Sequence, residues 1–170
     1  MAVVNLVGSR IMTGLEATPV VLATAAEAGG GVRQWIETVE VAADDSANST
    51  YLMARIPSNA VISPTSTLYW DDLTTTGSPT ADIGVYNMSG NSDFTDDPDA
   101  LSSAHDVTSA GNASVLTLAA GISNLGQPVW DYVNGATADP VTEVDIKVAI
   151  VDAPPVGGGT MTMVLDYSVV

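Results

Sequence analysis

Residues 51–87 read YLMARIPSNAVISPTSTLYWDDLTTTGSPTADIGVYN, and three short alternating runs within them decide the fold. Leu52, Ala54 and Ile56 share one face of the first run, against Tyr51, Met53 and Arg55. Leu68 and Trp70 share a face in the second run, and Ala81, Ile83 and Val85 in the third. Period two marks a strand with one buried face. Pro57 has no amide to give a ladder, and Ser58-Asn59 are turn formers, so the first strand ends there. The stretch reads as strand, tight turn, strand, polar loop, strand.

The clearest pattern outside it is at the C-terminal end. Val144, Ile146, Val148 and Ile150 alternate with Glu143, Asp145, Lys147 and Ala149. Met161, Met163, Leu165, Tyr167 and Val169 alternate with Thr160, Thr162, Val164, Asp166 and Ser168. With the flexible Pro/Gly-rich segment 152–159 between them, these two runs are expected to form an antiparallel hairpin. Toward the N-terminus, VRQWIETVEV (32–41) puts Trp35, Val39 and Val41 on one face and Val32 and Ile36 on the other, as in a strand covered on both sides. Val129–Val133 reads as a strand after Pro128, and Val115–Ala120 as a short helix or strand. Residues 88–114 read as a polar loop, with one helical turn at Asp99-Ala100-Leu101 capped by Asp97.

Residues 1–31 lack a sustained period and carry Gly14, Pro19 and Gly29-Gly30-Gly31. They read as an extended N-terminal arm with a glycine hinge, or else as a first strand of the same body. Seven or eight strands with polar turns make the expected class all-β. The expected architecture is an antiparallel β-sandwich, jelly-roll-like, spanning 32–170 behind the arm.

Composition bounds the function. At 170 residues the chain is expected to form one domain, large enough to bury a core without staples. It has no cysteine, which removes disulfides and thiolate metal sites. Twenty acidic residues against four Lys+Arg give a formal charge of −16. So few cations argue against nucleic acid, whose binding depends on counterion release, and against an anionic membrane surface. No basic segment precedes an apolar run at the N-terminus, and no stretch reaches the roughly 20 apolar residues of a spanning helix.

The chemistry expected of these residues is sparse. One histidine, His105, and no thiol make a nucleophilic triad implausible, and a lone histidine among Ser, Ala and Asp reads as a surface residue. Gly29-Gly30-Gly31 has no following Lys-Ser/Thr for a phosphate loop. Asp71-Asp72 beside Tyr69-Trp70 is the best carboxylate pair for glycoside chemistry, but adjacent strand residues point to opposite faces. No cofactor is expected, and no enzyme. Asp93, Asp96, Asp97 and Asp99, with Asp106 beyond, form a cluster that could ligate Ca²⁺, although no EF-hand spacing is present; a solvated loop is the plainer reading. Trp35, Tyr69, Trp70 and Trp130 are the only material for an aromatic platform, and core positions are their ordinary use.

Three segments carry a family resemblance: Ile56-Pro57-Ser58-Asn59-Ala60-Val61-Ile62, then Leu68-Tyr69-Trp70-Asp71-Asp72-Leu73, then Ala81-Asp82-Ile83-Gly84-Val85-Tyr86-Asn87. Together they resemble a pattern of structural virion proteins of tailed bacteriophages. Asp99-Ala100-Leu101, Asp106-Val107 and Ala110-Gly111 resemble its continuation. The similarity covers 51–111, and its motifs are structural rather than catalytic. Asn59 stands where those chains often have glycine; asparagine tolerates the same left-handed turn. The resemblance implies a capsid-associated protein, a decoration (cement) protein on the virion surface. Its implied partners are the major capsid protein and further copies of itself in a homotrimer. The arm would then touch the capsid through Arg10, Ile11, Met12, Leu15, Val20, Val21 and Leu22. The competing reading is a carbohydrate- or receptor-binding β-sandwich of a fibre, spike or secreted protein, which would need exposed aromatics.

Overall fold

The computed structural model describes residues 31–74, 76–88, 92–117, 125–133 and 136–170. Nine strands follow in order: β1 (Arg33–Val41), β2 (Thr50–Pro57), β3 (Ala60–Ile62), β4 (Thr67–Trp70), β5 (Thr80–Asn87), β6 (Asp97–Asp106), β7 (Gly111–Ser114), β8 (Glu143–Val151) and β9 (Gly159–Val169). They form two antiparallel sheets. Sheet A runs β1-β9-β4-β7, with β3 also on β9, and sheet B runs β2-β8-β5-β6.

β3 and β4 pair with successive parts of β9, Tyr167–Val169 and Met161–Val164. They act as one strand interrupted at 63–66. There Ser66 Oγ donates to Asp166 O and accepts from Asp166 N, and so holds the interruption to β9. Counted as one, they leave eight strands whose chain crosses repeatedly from one sheet to the other. That is the strand order of a jelly roll, the expected class.

The inner faces are those the alternation marked. Leu68, Ala81, Ile83, Val85, Val144, Ile146, Val148, Ile150, Met161, Met163 and Leu165 are all fully buried in one core. Among the described residues, no buried side-chain nitrogen or oxygen lacks a partner.

Several local expectations are corrected. β8 and β9 are not a hairpin: β8 lies in sheet B and β9 in sheet A, so their apolar faces meet across the sandwich rather than side by side. The 152–158 link crosses between the sheets and is fixed, with Gly157 N–H bonded to Leu73 O at 3.0 Å. β1 is an edge strand and is exposed over most of its length, not covered on both sides. In β2 the ladder to β8 shifts between Leu52 and Ala54. This bulge buries Met53 and Ala54 together and turns Leu52 out to solvent.

Asp97–Asp106 is a strand on β5 rather than a loop with a helical turn, because pairing with β5 overrides weak local propensity. Val129–Tyr132 is a 3-10 helix, not a strand. Val129 and Val133 are buried four residues apart, while Trp130 N–H is bonded to Ser58 O at 3.1 Å. Val115 and Leu116 are buried in a bend. Asn59 does not take a left-handed conformation; its amide instead donates to Val170 O at 2.6 Å.

Candidate interaction surface

The outer face of sheet A is built from the residues that alternate with the core. Register places Thr38, Thr162, Tyr69 and Asn112 in one row across β1, β9, β4 and β7. The Thr38 and Thr162 hydroxyls are 2.8 Å apart, and Gln34 Nε2 donates to Asp166 Oδ1 at 2.9 Å. Tyr69 is 47% exposed. It borders an open groove of about 380 Å³ lined by Tyr69, Asp71, Gly111, Asn112, Thr160 and Thr162. Asp71 Oδ2 accepts the Thr160 hydroxyl at 2.6 Å and the Thr160 N–H at 3.1 Å, and these bonds hold Asp71 below the usual carboxylate range. No cation lines the groove, and the Asp71 carboxylate makes it anionic; the rest of its lining is hydroxyl- and amide-bearing, with two aromatic residues, Tyr69 and Trp70.

Of the four aromatic candidates, Trp70 is buried and its Nε1–H donates to Ser109 O at 2.9 Å. Trp130 is half-buried. Tyr69 and Trp35 are exposed, against the core expectation. Asp71 and Asp72 have separate partners, Asp72 accepting the Thr74 N–H at 3.2 Å.

The outer face of sheet B is self-satisfied. Asp145 lies on central strand β8, flanked in register by Arg55 of β2 and Tyr86 of β5, and its carboxylate is buried. Arg55 grips it with two bonds, Nε at 2.7 Å and Nη2 at 3.2 Å. Lys147 Nζ is 3.9 Å from the same carboxylate and 4.8 Å from the centre of the Tyr86 ring. Burial, reinforced by Asp96 and Asp82, pushes the Tyr86 hydroxyl above its ordinary pKa.

The acidic cluster is organised around Asn87. Asp96 Oδ1 accepts from Asn87 N and Nδ2, at 2.8 and 3.0 Å, and Asn87 Oδ1 accepts the Asp93 N–H at 3.0 Å. Asp97 is buried at the start of β6, and Asp99 is exposed two residues on. Among the described residues, no three His, Cys, Asp or Glu side chains gather as a metal ion would require.

His105 is half-buried, not a free surface residue, and its Nε2 contacts the Ser102 hydroxyl. Burial lowers its pKa, opposed by the charge of Asp82. Ser102 is buried, and Asp82 accepts the Ala104 N–H at 2.8 Å rather than orienting the imidazole, so the trio closes a bulge of β6. The arm residues Arg10, Ile11, Met12, Leu15, Val20, Val21 and Leu22 lie outside the described residues.

Two solved structures share this architecture. One is a chain of the capsid of Ralstonia phage GP4, with a TM-score of 0.60 at 20% identity over 83% of this chain and 86% of that one. The other belongs to the capsid asymmetric unit of cyanophage Pam1, with a TM-score of 0.51 at 16% identity over 82% of this chain and 86% of that one. At these identities the likeness is one of fold. No family model matches the chain, and no curated protein matches it in sequence.

Proposed function

We propose that this protein is a structural, non-enzymatic component of a bacteriophage virion: a decoration (cement) protein on the outside of the head. The observation that carries the reading is the shared jelly-roll fold, which covers more than four fifths of this chain and of a chain from each of two phage capsids. The 51–111 resemblance points the same way from sequence. In this reading residues 32–170 form the body. Residues 1–31 are an arm that reaches the major capsid protein through Arg10, Ile11, Met12, Leu15, Val20, Val21 and Leu22. Three copies gather at the quasi-threefold positions of an icosahedral shell. Apolar arm surface covered by coat would contribute roughly 25 cal/mol per Å², and three arms acting together would multiply retention.

A second reading, a carbohydrate- or receptor-binding sandwich, is favoured by one observation, the exposed Tyr69 ring beside a groove lined by hydroxyls, amides and the Asp71 carboxylate. Rebinding distinguishes them. Heads stripped of the protein should take up the full chain and not a form lacking residues 1–28. Equal uptake of both forms, or affinity for host glycans with none for heads, would favour the second reading.

A further inference from the structure

Among the described residues, five strands have a strand neighbour on one side only, β1, β3 and β7 of sheet A and β2 and β6 of sheet B. An edge strand offers unpaired N–H and C=O groups to any other chain, and soluble proteins usually blunt it. Four of these edges are blunted. β3 has only three residues and β7 only four. β2 carries the Met53 bulge and ends on Pro57. β6 shifts register twice against β5 and carries Asp97, Pro98 and Asp99.

β1 has neither bulge nor proline and is not short; its charges, Arg33, Glu37 and Glu40, are the one such device it carries. It stays in unbroken register with β9 from Arg33↔Tyr167 to Val41↔Gly159, over nine residues, and no other described strand pairs with it. Its first half is also the most apolar exposed stretch of the body: Val32 is 67% exposed, Trp35 39% and Ile36 59%. Trp35 points toward the core side, opposite buried Leu165, yet the facing sheet does not cover it.

The charges on this strand decide what fits. Arg33, Trp35 and Glu37 share one face. Two copies of this strand laid antiparallel, with Trp35 on the two-fold axis, place Arg33 of each opposite Glu37 of the other. The two Trp35 rings then meet at the centre. On the other face Ile36 meets Gln34, and Val32 meets Thr38. An isologous contact needs such self-complementarity, and opposite charges directly across strands stabilise a ladder. The same charges that would repel an unrelated apolar strand favour a second copy of this one.

We propose that the free edge of β1 is a self-recognition surface, through which two copies of the protein join antiparallel about Trp35 and extend sheet A across both. The inference does not depend on the capsid reading. Within that reading, it would link neighbouring threefold clusters across two-fold axes, tying the decoration layer into a lattice.

Two experiments on the full chain test it. The protein has no cysteine, so a single introduced thiol can cross-link only to its own copy. Antiparallel neighbours directly opposite have Cα atoms about 4.5–5.5 Å apart, within disulfide reach. Trp35→Cys should therefore give a covalent dimer under mild oxidation. Thr38→Cys should not, because its two copies would lie six residues apart, roughly 20 Å. Sedimentation at rising protein concentration gives the second test. The wild type should double in mass, Arg33→Glu or Glu37→Arg alone should weaken that doubling about tenfold by opposing like charges, and the double reversal should restore it. Circular dichroism identifies any variant that has lost its fold, and the cysteine pair then decides. Equal cross-linking at positions 35 and 38, or single and double reversals that associate alike, would overturn the proposal and leave the arm or another protein as the cover of β1.

Discussion

Replacing Gly84 with alanine should be among the most damaging small changes in the body. Gly84 sits in the middle of β5, in register with Lys147 of β8. On its other side β6 departs from the regular ladder: Ile83 pairs with Ser102, but Val85 pairs with Asp97. The extra β6 residues pass directly over Gly84. A Cβ there would lie 2.3 Å from Asp97 O and 2.4 Å from both Pro98 C and Pro98 O. These are backbone atoms, so no side-chain rotation relieves the overlap, and the start of β6 must lift away from the sheet. Overpacking of a well-filled site costs about 1–3 kcal/mol. Backbone contacts this short place the change at the upper end, about 3 kcal/mol. For a domain of this size that corresponds to a drop in Tm of roughly 6–12 °C. Urea and thermal denaturation followed by circular dichroism would measure it. A Gly84→Ala protein within about 0.5 kcal/mol of wild type, the range of an ordinary surface substitution, would refute the close approach of β6.

Other expectations follow from the same geometry. Arg55→Met should cost more than Asp145→Asn. The first leaves a buried carboxylate with only Lys147 at 3.9 Å, whereas the second leaves a partly exposed guanidinium that water can solvate. The reverse order in urea denaturation would contradict the burial of Asp145. His105 has a folded pKa below its ordinary value of 6.5, so the stability it contributes is complete above pH 6.5 and falls as the pH drops toward the lowered value. His105→Gln should flatten the stability profile there, and an unchanged slope would place the titrating group elsewhere. Asp71 and Asp106, both lowered chiefly by hydroxyl donors, add a loss that begins only in the carboxylate range near pH 4. Deleting residues 1–31 should leave cooperative melting and the β-sheet circular dichroism signal intact; their loss would make that segment part of the core.

What the sequence revealed and what it hid follow from what period two encodes. Alternation says which side of a strand is buried, and so the inner residues of β4, β5, β8 and β9 were legible. It does not say which strand lies alongside, because a face buried against a neighbouring sheet has the same pattern as one shared by a hairpin. That is why β8 and β9 read as partners. β6 was hidden because Asp97, Pro98 and Asp99 are poor strand formers that only its pairing with β5 makes a strand. The Met53 bulge was hidden for a related reason: inserting one residue leaves composition untouched while reversing the face of Leu52. The exposure of Tyr69 was implicit in its place between Leu68 and Trp70. The Arg33-Trp35-Glu37 pattern of β1 became meaningful only once β1 was seen to be an edge.

Cryo-electron microscopy of the particles that carry the protein tests the central proposal most directly. Decoration of the head predicts this jelly-roll body as density on the outer capsid surface, clustered in threes, with the segment before Val32 running to the major capsid protein. Density for it only in the tail or fibres, or none on the head of a particle that contains the protein, would contradict the account.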